Sequence, residues 1–416
     1  EIRSLGLDAM TDVLVLTLSG KDQPGVTAGV TQTLSELPVF IRQLEQIVLQ
    51  GHLVLGLSVM TKDPESEPVF QKAIEVASDF ASTKAMSLDA QIIKDDDLSG
   101  WREHLIVTVL GAPLLPASVA SITSTVAGAG GNIDRIRQVA TYPVTAVEFE
   151  VGGVSKHELR DQLSAVARAN HIDIAVQESG LDRRGIHLIV MDVDSTFIQD
   201  EVIELLAARA GVAQEVAEIT HRAMNGELDF EESLRQRVQM LKGLPASVLT
   251  EVIDEIRLTP GAKTLTRTLN RIGFQIALVS GGFIEVVQPI AESLGVTNVR
   301  ANKLQIVDEV LTGELDGPVI DRAAKAQALR EFAAHYGIPM TRTIAIGDGA
   351  NDLDMLNEAA LGIAFNAKPF VRDAAHASVN TPYLDTVLYV LGITREQIER
   401  SDALEGIETP APAIPD

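Results

Sequence analysis

The sequence predicts an α/β protein: a doubly wound parallel sheet with an inserted helical cap, preceded by two smaller βαββαβ modules. Three observations predict it. The front of the chain repeats one order of strands and helices at a period of about ninety residues. The rear alternates helical stretches with nearly continuous apolar runs, the mark of strands buried on both faces. After the first of those runs, Phe197 to Leu258 reads as consecutive helices.

The first module, residues 12–95, opens with the β-rich run Asp12–Ser19 and the turn Gly20–Gly25. Val26, Val30 and Leu34 then recur on one helical face. Strands follow around Ile41–Val48 and Leu53–Met60, then a helix Val69–Phe80 and a strand near Met86–Ile93. The second module, residues 103–178, begins at His104–Gly111 and passes through a Pro-containing turn to a helix bearing Val119, Ile122 and Val126. Strands Ile133–Val139 and Thr145–Val151, helix His157–Ala169 and strand Ile172–Gln177 complete it. Setting Val13–Gly20 over His104–Gly111 aligns the apolar positions, and with one extra residue in the second turn Ile41 falls on Ile133. Asp95–Gly100 and Ser179–Gly185 read as linkers, and 401–416 as a tail whose Pro-rich end from Thr409 is disordered.

The third block, residues 185–400, has its apolar strands at Ile186–Met191, Phe274–Val279 and Thr343–Ile346. Its cap, about 198–258, shows helical periodicity over Glu201–Ala210, Val212–Met224, Asp229–Leu241 and Ala246–Ile256.

Length and composition bound the function. At 416 residues, about three domains are expected. Lys and Arg number 34 against 58 Asp and Glu, a net charge of −24 that disfavours nucleic acid and anionic membranes as partners. An anionic substrate then needs a local positive cluster or a metal. Cysteine is absent, which excludes disulfides and thiolate chemistry. No stretch approaches the ~18 apolar residues of a membrane span. A soluble cytoplasmic protein is expected.

Each strand of the third block runs into a polar cluster: Asp192-Val-Asp194-Ser-Thr196, Ser280-Gly281-Gly282, and Gly347-Asp348-Gly349-Ala-Asn351-Asp352. Lys325 lies on a helix starting near Asp321. In a parallel sheet these ends share one edge, so the clusters converge. Two carboxylates two residues apart fall on one side of an extended segment and repel unless a cation compensates. A hard cation with oxygen ligands suits them, and Asp348 offers a third carboxylate. One acid can then attack phosphorus while its partner handles protons. A lone Asp-x-Asp would equally suit a calcium-like loop or a solvated turn; the convergence argues otherwise.

In order and spacing the four clusters resemble those of the haloacid dehalogenase (HAD) superfamily. That resemblance implies a Rossmann-like core with Asp192 as nucleophile and Asp194 as general acid, then base. It implies Mg2+ held by Asp192, Asp348 and the Asp194 backbone carbonyl, with Asp352 in support. Ser280, the N–H groups at Gly281 and Gly282, Lys325 and Asn351 would bind substrate. Ion-pumping members carry threonine at the position of Asp194, so the aspartate implies rapid hydrolysis. The cap and the Asp-x-Asp-Ser-Thr motif further resemble phosphoserine phosphatases. On that likeness Glu201 meets the substrate ammonium, Arg237 its carboxylate, and Met224 and Phe230 its short side chain, in the last step of serine synthesis. The front modules resemble ACT domains, ferredoxin-like regulatory units that often pair across a dimer. This implies a homodimer, with serine as effector at the turns containing Gly20, Asp22 and Gly111. The second turn lacks a counterpart of Asp22. Two other readings stay open: a phosphatase or phosphotransferase for another small phospho-amino acid, and an amino-acid sensor with a silent phosphatase fold.

Overall fold

A computed structural model describes residues 12–63, 65–94, 104–224 and 227–410, with only the backbone of Met224. The linker expected at Asp95–Gly100 and the end of the tail, 411–416, lie outside these residues. The chain divides after Trp101 into two compact units.

In the first unit, strands β1 (Asp12–Lys21), β2 (Val39–Leu49), β3 (His52–Thr61) and β4 (Ser87–Lys94) form an antiparallel sheet in the order β2-β3-β1-β4. Helices α1 (Val26–Leu34) and α2 (Ser66–Thr83) supply the rest of the core. Leu14, Leu16 and Leu18 alternate inward on β1 and pack with Val26, Val30 and Phe70. Each such side chain contributes roughly 1.5–3 kcal/mol on burial. The edge strand β2 differs: Ile41, Leu44, Ile47, Val48 and Leu49 stay exposed, Leu49 at 62%.

The second unit begins with the same plan. Strands β5 (His104–Gly111), β6 (Asn132–Ala140), β7 (Thr145–Gly152) and β8 (Asp173–Glu178) lie in the order β6-β7-β5-β8, with α3 (Pro116–Gly128) and α4 (Lys156–Asn170). A short α5 (Leu181–Arg184) occupies the expected second linker. The parallel core follows, with β9 (Leu188–Met191), β10 (Gln275–Phe283), β11 (Asn298–Asn302), a hairpin β12 (Leu304–Val307) and β13 (Val310–Leu315), then β14 (Thr343–Gly347), β15 (Leu361–Phe365) and β16 (Ala377–Val379). The core order is β11-β10-β9-β14-β15-β16. An antiparallel pairing of Ala377 with Ala175 joins β16 to β8, so module and core share one ten-stranded sheet. Asp173 reinforces that seam by accepting hydrogen bonds from the Asn380 N–H at 2.7 Å and the Ser378 hydroxyl at 3.3 Å.

Strand β9 shows why its sequence is continuously apolar. Ile189 and Met191 enter the cluster on one face of the sheet, Leu188 and Val190 that on the other, and all four are fully buried. The cap comprises α6 (Val202–Ala210), α7 (Ala213–Met224), α8 (Phe230–Gln239) and α9 (Ser247–Glu255). Asp229 caps α8 by accepting from the Glu232 N–H at 2.7 Å. The β12–β13 hairpin, absent from the sequence reading, clamps the α8–α9 turn: Gly243 N–H donates to Leu311 O and Leu311 N–H to Leu244 O, both at 2.9 Å. Its turn residues Asp308 and Glu309 take positive φ values of 49° and 60° without the Asn-Gly signal that usually marks such a turn.

Outside the cap, α10 (Ala262–Arg271), α11 (Ile284–Ser293) and α12 (Arg322–Tyr336) flank the sheet. The expected tail boundary at 401 is corrected. Ser401–Leu404 continue the helix Arg395–Leu404, and Asp402 is fully buried between Arg267 and Arg271 of α10. Two guanidiniums on one carboxylate, with Ile398 in the core, hold that segment down. Among the described residues no helix is long and apolar enough to cross a membrane.

Candidate active site

The strand ends converge as the topology requires. β9 lies between β10 and β14, all parallel, with Met191 paired to both Leu278 and Ile346. The Asp192 N–H continues the ladder by donating to Ile346 O at 2.9 Å, which fixes this acid immediately beyond the strand. Strand β10 runs further than its apolar run suggests, through Ser280-Gly281-Gly282 to Phe283, with a register shift against β11. Ser280 therefore sits within an extended, bulged stretch rather than after it.

Lys325 joins two of the clusters. Asp321 caps α12, accepting from the Ala324 N–H at 2.8 Å, so Lys325 leaves the first turn toward the sheet edge. Its side chain is fully buried, with Nζ 2.8 Å from Asp192 Oδ1 and 2.7 Å from Asp352 Oδ1. Asp352 also accepts from the Gly349 N–H at 3.0 Å. Asp348 accepts from the Thr196 hydroxyl at 2.9 Å. Carboxylate oxygens of Asp192, Asp348 and Asp352 all lie within 4.8 Å of one another. Asp194 turns elsewhere: one oxygen accepts from the Val202 N–H at 2.8 Å, the other from the Ser280 hydroxyl at 3.1 Å.

This crowding sets the electrostatics. Burial and the Asp352 carboxylate hold Asp192 well above the usual carboxylate range, with Asp348 adding to them against the pull of Lys325. Burial, then Asp352, pushes Asp348 up to about 6. Burial also raises Asp194. Burial alone would lower the Lys325 ammonium, yet Asp192 and Asp352 outweigh it and keep it raised. Three carboxylates against one ammonium leave 3 − 1 = 2 negative charges, which a divalent cation on oxygen ligands would balance.

Above the acids lies a cavity of about 760 Å³ under the cap. Asp192, Asp194, Asp348 and Asn351 reach it from the core, Glu201, Phe230 and Arg237 from the cap, and Gly281 and Gly282 from β10. Burial and then Asp194 push Glu201 up to about 7, although the Ser195 hydroxyl donates to it at 2.8 Å. Burial lowers Arg237 from its ordinary value, and its Nε donates to Ser233 O at 3.3 Å. Lys325 and Ser280 lie beneath the cavity wall rather than on it, each fully buried. Met224 ends α7, and its side chain lies outside the described residues.

Two groups escaped the sequence reading as site residues. Thr196 orients Asp348 across 152 positions of sequence, which no local pattern shows. Lys368 lines the cavity from the loop after β15. Its signal was the apolar run Leu361–Phe365, a fourth parallel strand ending on the same edge. The expected effector residues are divided between the two units: Gly20 and Asp22 belong to the first, Gly111 to the second. A Cβ at Gly20 would meet Met86 Cγ at 2.9 Å, and one at Gly111 would meet Leu114 Cα at 3.0 Å, so packing inside each module is already tight around both glycines.

Residues 189–357 match the model of haloacid dehalogenase-like hydrolases, and 12–86 and 103–177 match ACT domains. A phosphoserine phosphatase of Streptomyces coelicolor is 51% identical over 399 residues, 94% of this chain and 95% of that one. Phosphoserine phosphatase SerB2 of Mycobacterium tuberculosis is 46% identical over 96% of this chain and 98% of its own length. The crystal structure of a probable phosphoserine phosphatase from Vibrio cholerae, unliganded, is 34% identical with a TM-score of 0.56, covering 71% of this chain and 88% of that one. With near-complete coverage at such identity, the chain belongs to the phosphoserine phosphatase family: haloacid dehalogenase-like hydrolases, here with two ACT domains in front.

Proposed function

We propose that this chain hydrolyses O-phosphoserine to serine and phosphate through a phospho-aspartate on Asp192, completing serine synthesis. The observation that carries the reading is one cavity with the Asp192–Lys325–Asp348 cluster at its floor and Glu201 and Arg237 on its cap wall. A zwitterion with a phosphate at one end fits that division of charge.

The buried Asp192 carboxylate attacks phosphorus, the serine oxygen leaves, and Asp194 gives that oxygen its proton. The raised pKa of Asp194 suits a proton donor, and the Ser280 and Val202 bonds hold its two oxygens in place. Asp194 then takes a proton from the water that hydrolyses the acyl-phosphate. Lys325 and the donors of the Ser280–Gly282 stretch stabilise the phosphoryl charge. Asp192, Asp348 and the Asp194 carbonyl would hold Mg2+, supported by Asp352; when bound it supplies charge neutralisation for the acids and the phosphoryl group.

Chelating divalent metal is expected to abolish phosphate release and to make the fold pH-sensitive. Burial pushes Asp348 up to about 6 and Glu201 up to about 7 in the metal-free chain, above their ordinary values. Their contribution to stability is complete in acid, below those ordinary values, and is lost as pH rises through 6–7. Thermal melting of chelated protein should therefore fall between about pH 4 and pH 7, and Mg2+ should restore it.

Glu201→Gln is expected to raise KM for phosphoserine about 10–100-fold, the worth of one hydrogen bond to a charged group, with a smaller change in kcat. In the parent chain kcat/KM should fall as pH drops below about 7, where Glu201 takes up a proton. In the variant that limb should flatten. An unchanged KM would move the ammonium site elsewhere.

The ACT domains support amino-acid control and dimerisation. Serine is the proposed effector, and the exposed apolar row on β2 is a surface that a second copy could cover. Because Gly20 and Gly111 are constrained by packing, the exposed Asp22 is the better probe. Calorimetry is expected to show serine binding to the intact chain and weaker binding to Asp22→Ala. Equal binding by both would remove the first turn as the site.

A further inference from the structure

A second cavity, of about 540 Å³, lies in the second unit away from the acids. Its walls come from β6 and β7 of the module, the connecting segment Ser179–Ile186, and Phe274 and Leu391–Ile393 of the core. Four arginines reach it, Arg135, Arg137, Arg183 and Arg184, against two carboxylates, Glu148 and Glu150: 4 − 2 = 2 positive charges, in a chain whose net charge is −24.

The pairing inside the cavity is uneven. Register sets Arg135 opposite Glu150 and Arg137 opposite Glu148. Glu148, only 5% exposed, also takes Arg183, so one carboxylate serves two guanidiniums. Arg183 spends a further N–H on Val390 O at 3.3 Å, yet its Nε is buried with no acceptor among the described residues. Arg184 is exposed at the rim and makes no ion pair among the described residues. A surplus of guanidinium charge lining one cavity is relieved by a small dianion with several oxygens.

We propose that this cleft is a second anion site, binding a phosphate dianion, free or as the head of a monoester, between the second module and the phosphatase core. Occupancy would bridge module and core, since Arg135 and Arg137 come from one and the Leu391–Ile393 wall from the other. None of its residues belongs to the catalytic cavity.

Arginine modification by phenylglyoxal, mapped by peptide mass spectrometry on the intact chain with Mg2+, tests the site without depending on turnover. Inorganic phosphate is one arm, and methylphosphonate, a monoester mimic whose P–C bond resists hydrolysis, the other; chloride at equal ionic strength is the reference. Phosphate at a few times its dissociation constant should slow modification of Arg184 and Arg135 about fivefold, while the exposed Arg330 is unaffected. Protection by phosphate alone identifies the free ion as ligand, and protection by both extends the site to monoesters. Arg184→Ala, at an exposed and unpaired position, should keep turnover and weaken the protection of Arg135. Equal rates in phosphate, methylphosphonate and chloride would overturn the proposal, as would undiminished protection of Arg135 in the Arg184→Ala chain.

Discussion

Asp192→Asn is expected to reduce phosphate release from phosphoserine by on the order of 10⁴–10⁶-fold, the range for losing a nucleophile that acts within a unit. The amide keeps the shape of the carboxylate and can still accept from the Lys325 ammonium 2.8 Å away. It cannot form an acyl-phosphate. It also removes one of three crowded acids, so the melting temperature should hold or rise without metal. Acid quenching with labelled substrate should trap phosphate on the parent chain and none on the variant. Turnover retained by a folded Asp192→Asn chain would assign the attack to another group.

Lys325→Met is expected to cost activity and, more unusually, about 3–5 kcal/mol of stability, because it leaves Asp192 and Asp352 buried without their cation. Denaturant unfolding in chelator measures it, and Mg2+ should recover part of the loss by compensating the same carboxylates. A double variant, Lys325→Met with Asp352→Leu, separates the two roles of the lysine. Removing the second acid should restore much of the stability, since an apolar pair leaves less charge uncompensated, but not the turnover. If the single variant is as stable as the parent, the ion pairs at Lys325 do not hold the site together. The phosphoryl-binding role would then have to stand alone.

Much of the site was legible because each cluster follows a run whose pattern is local. Four apolar residues in Leu188–Met191 announce a strand buried on both faces, and whatever follows such a strand belongs at the ligand edge. The same reasoning finds Ser280 and Asp348, and helical periodicity finds the cap that carries Glu201, Phe230 and Arg237. Contacts made across the chain were not legible. Asn302 donates to Gly281 O at 2.7 Å and accepts from the Ile320 N–H at 2.8 Å, tying the serine–glycine stretch to the approach of α12. It ends β11, and no local pattern in the sequence marks it. Asp402 read as part of a solvated tail because two arginines that neutralise it lie more than a hundred residues earlier.

By itself the sequence determined the duplicated front modules, the parallel core with its cap, and the acids and hydroxyl at the strand ends with the amine on the helix after Asp321. Period and strand termination are properties of neighbouring residues, so a linear reading reaches them. Only the tertiary structure decided that Lys325 lies beneath the acids, that Thr196 holds Asp348, that β8 and β16 merge two sheets, and that four arginines line one cavity, two of them on Glu148. Those outcomes depend on burial and on charges meeting from distant segments, where desolvation and Coulomb terms are set by three-dimensional neighbours that no local pattern encodes.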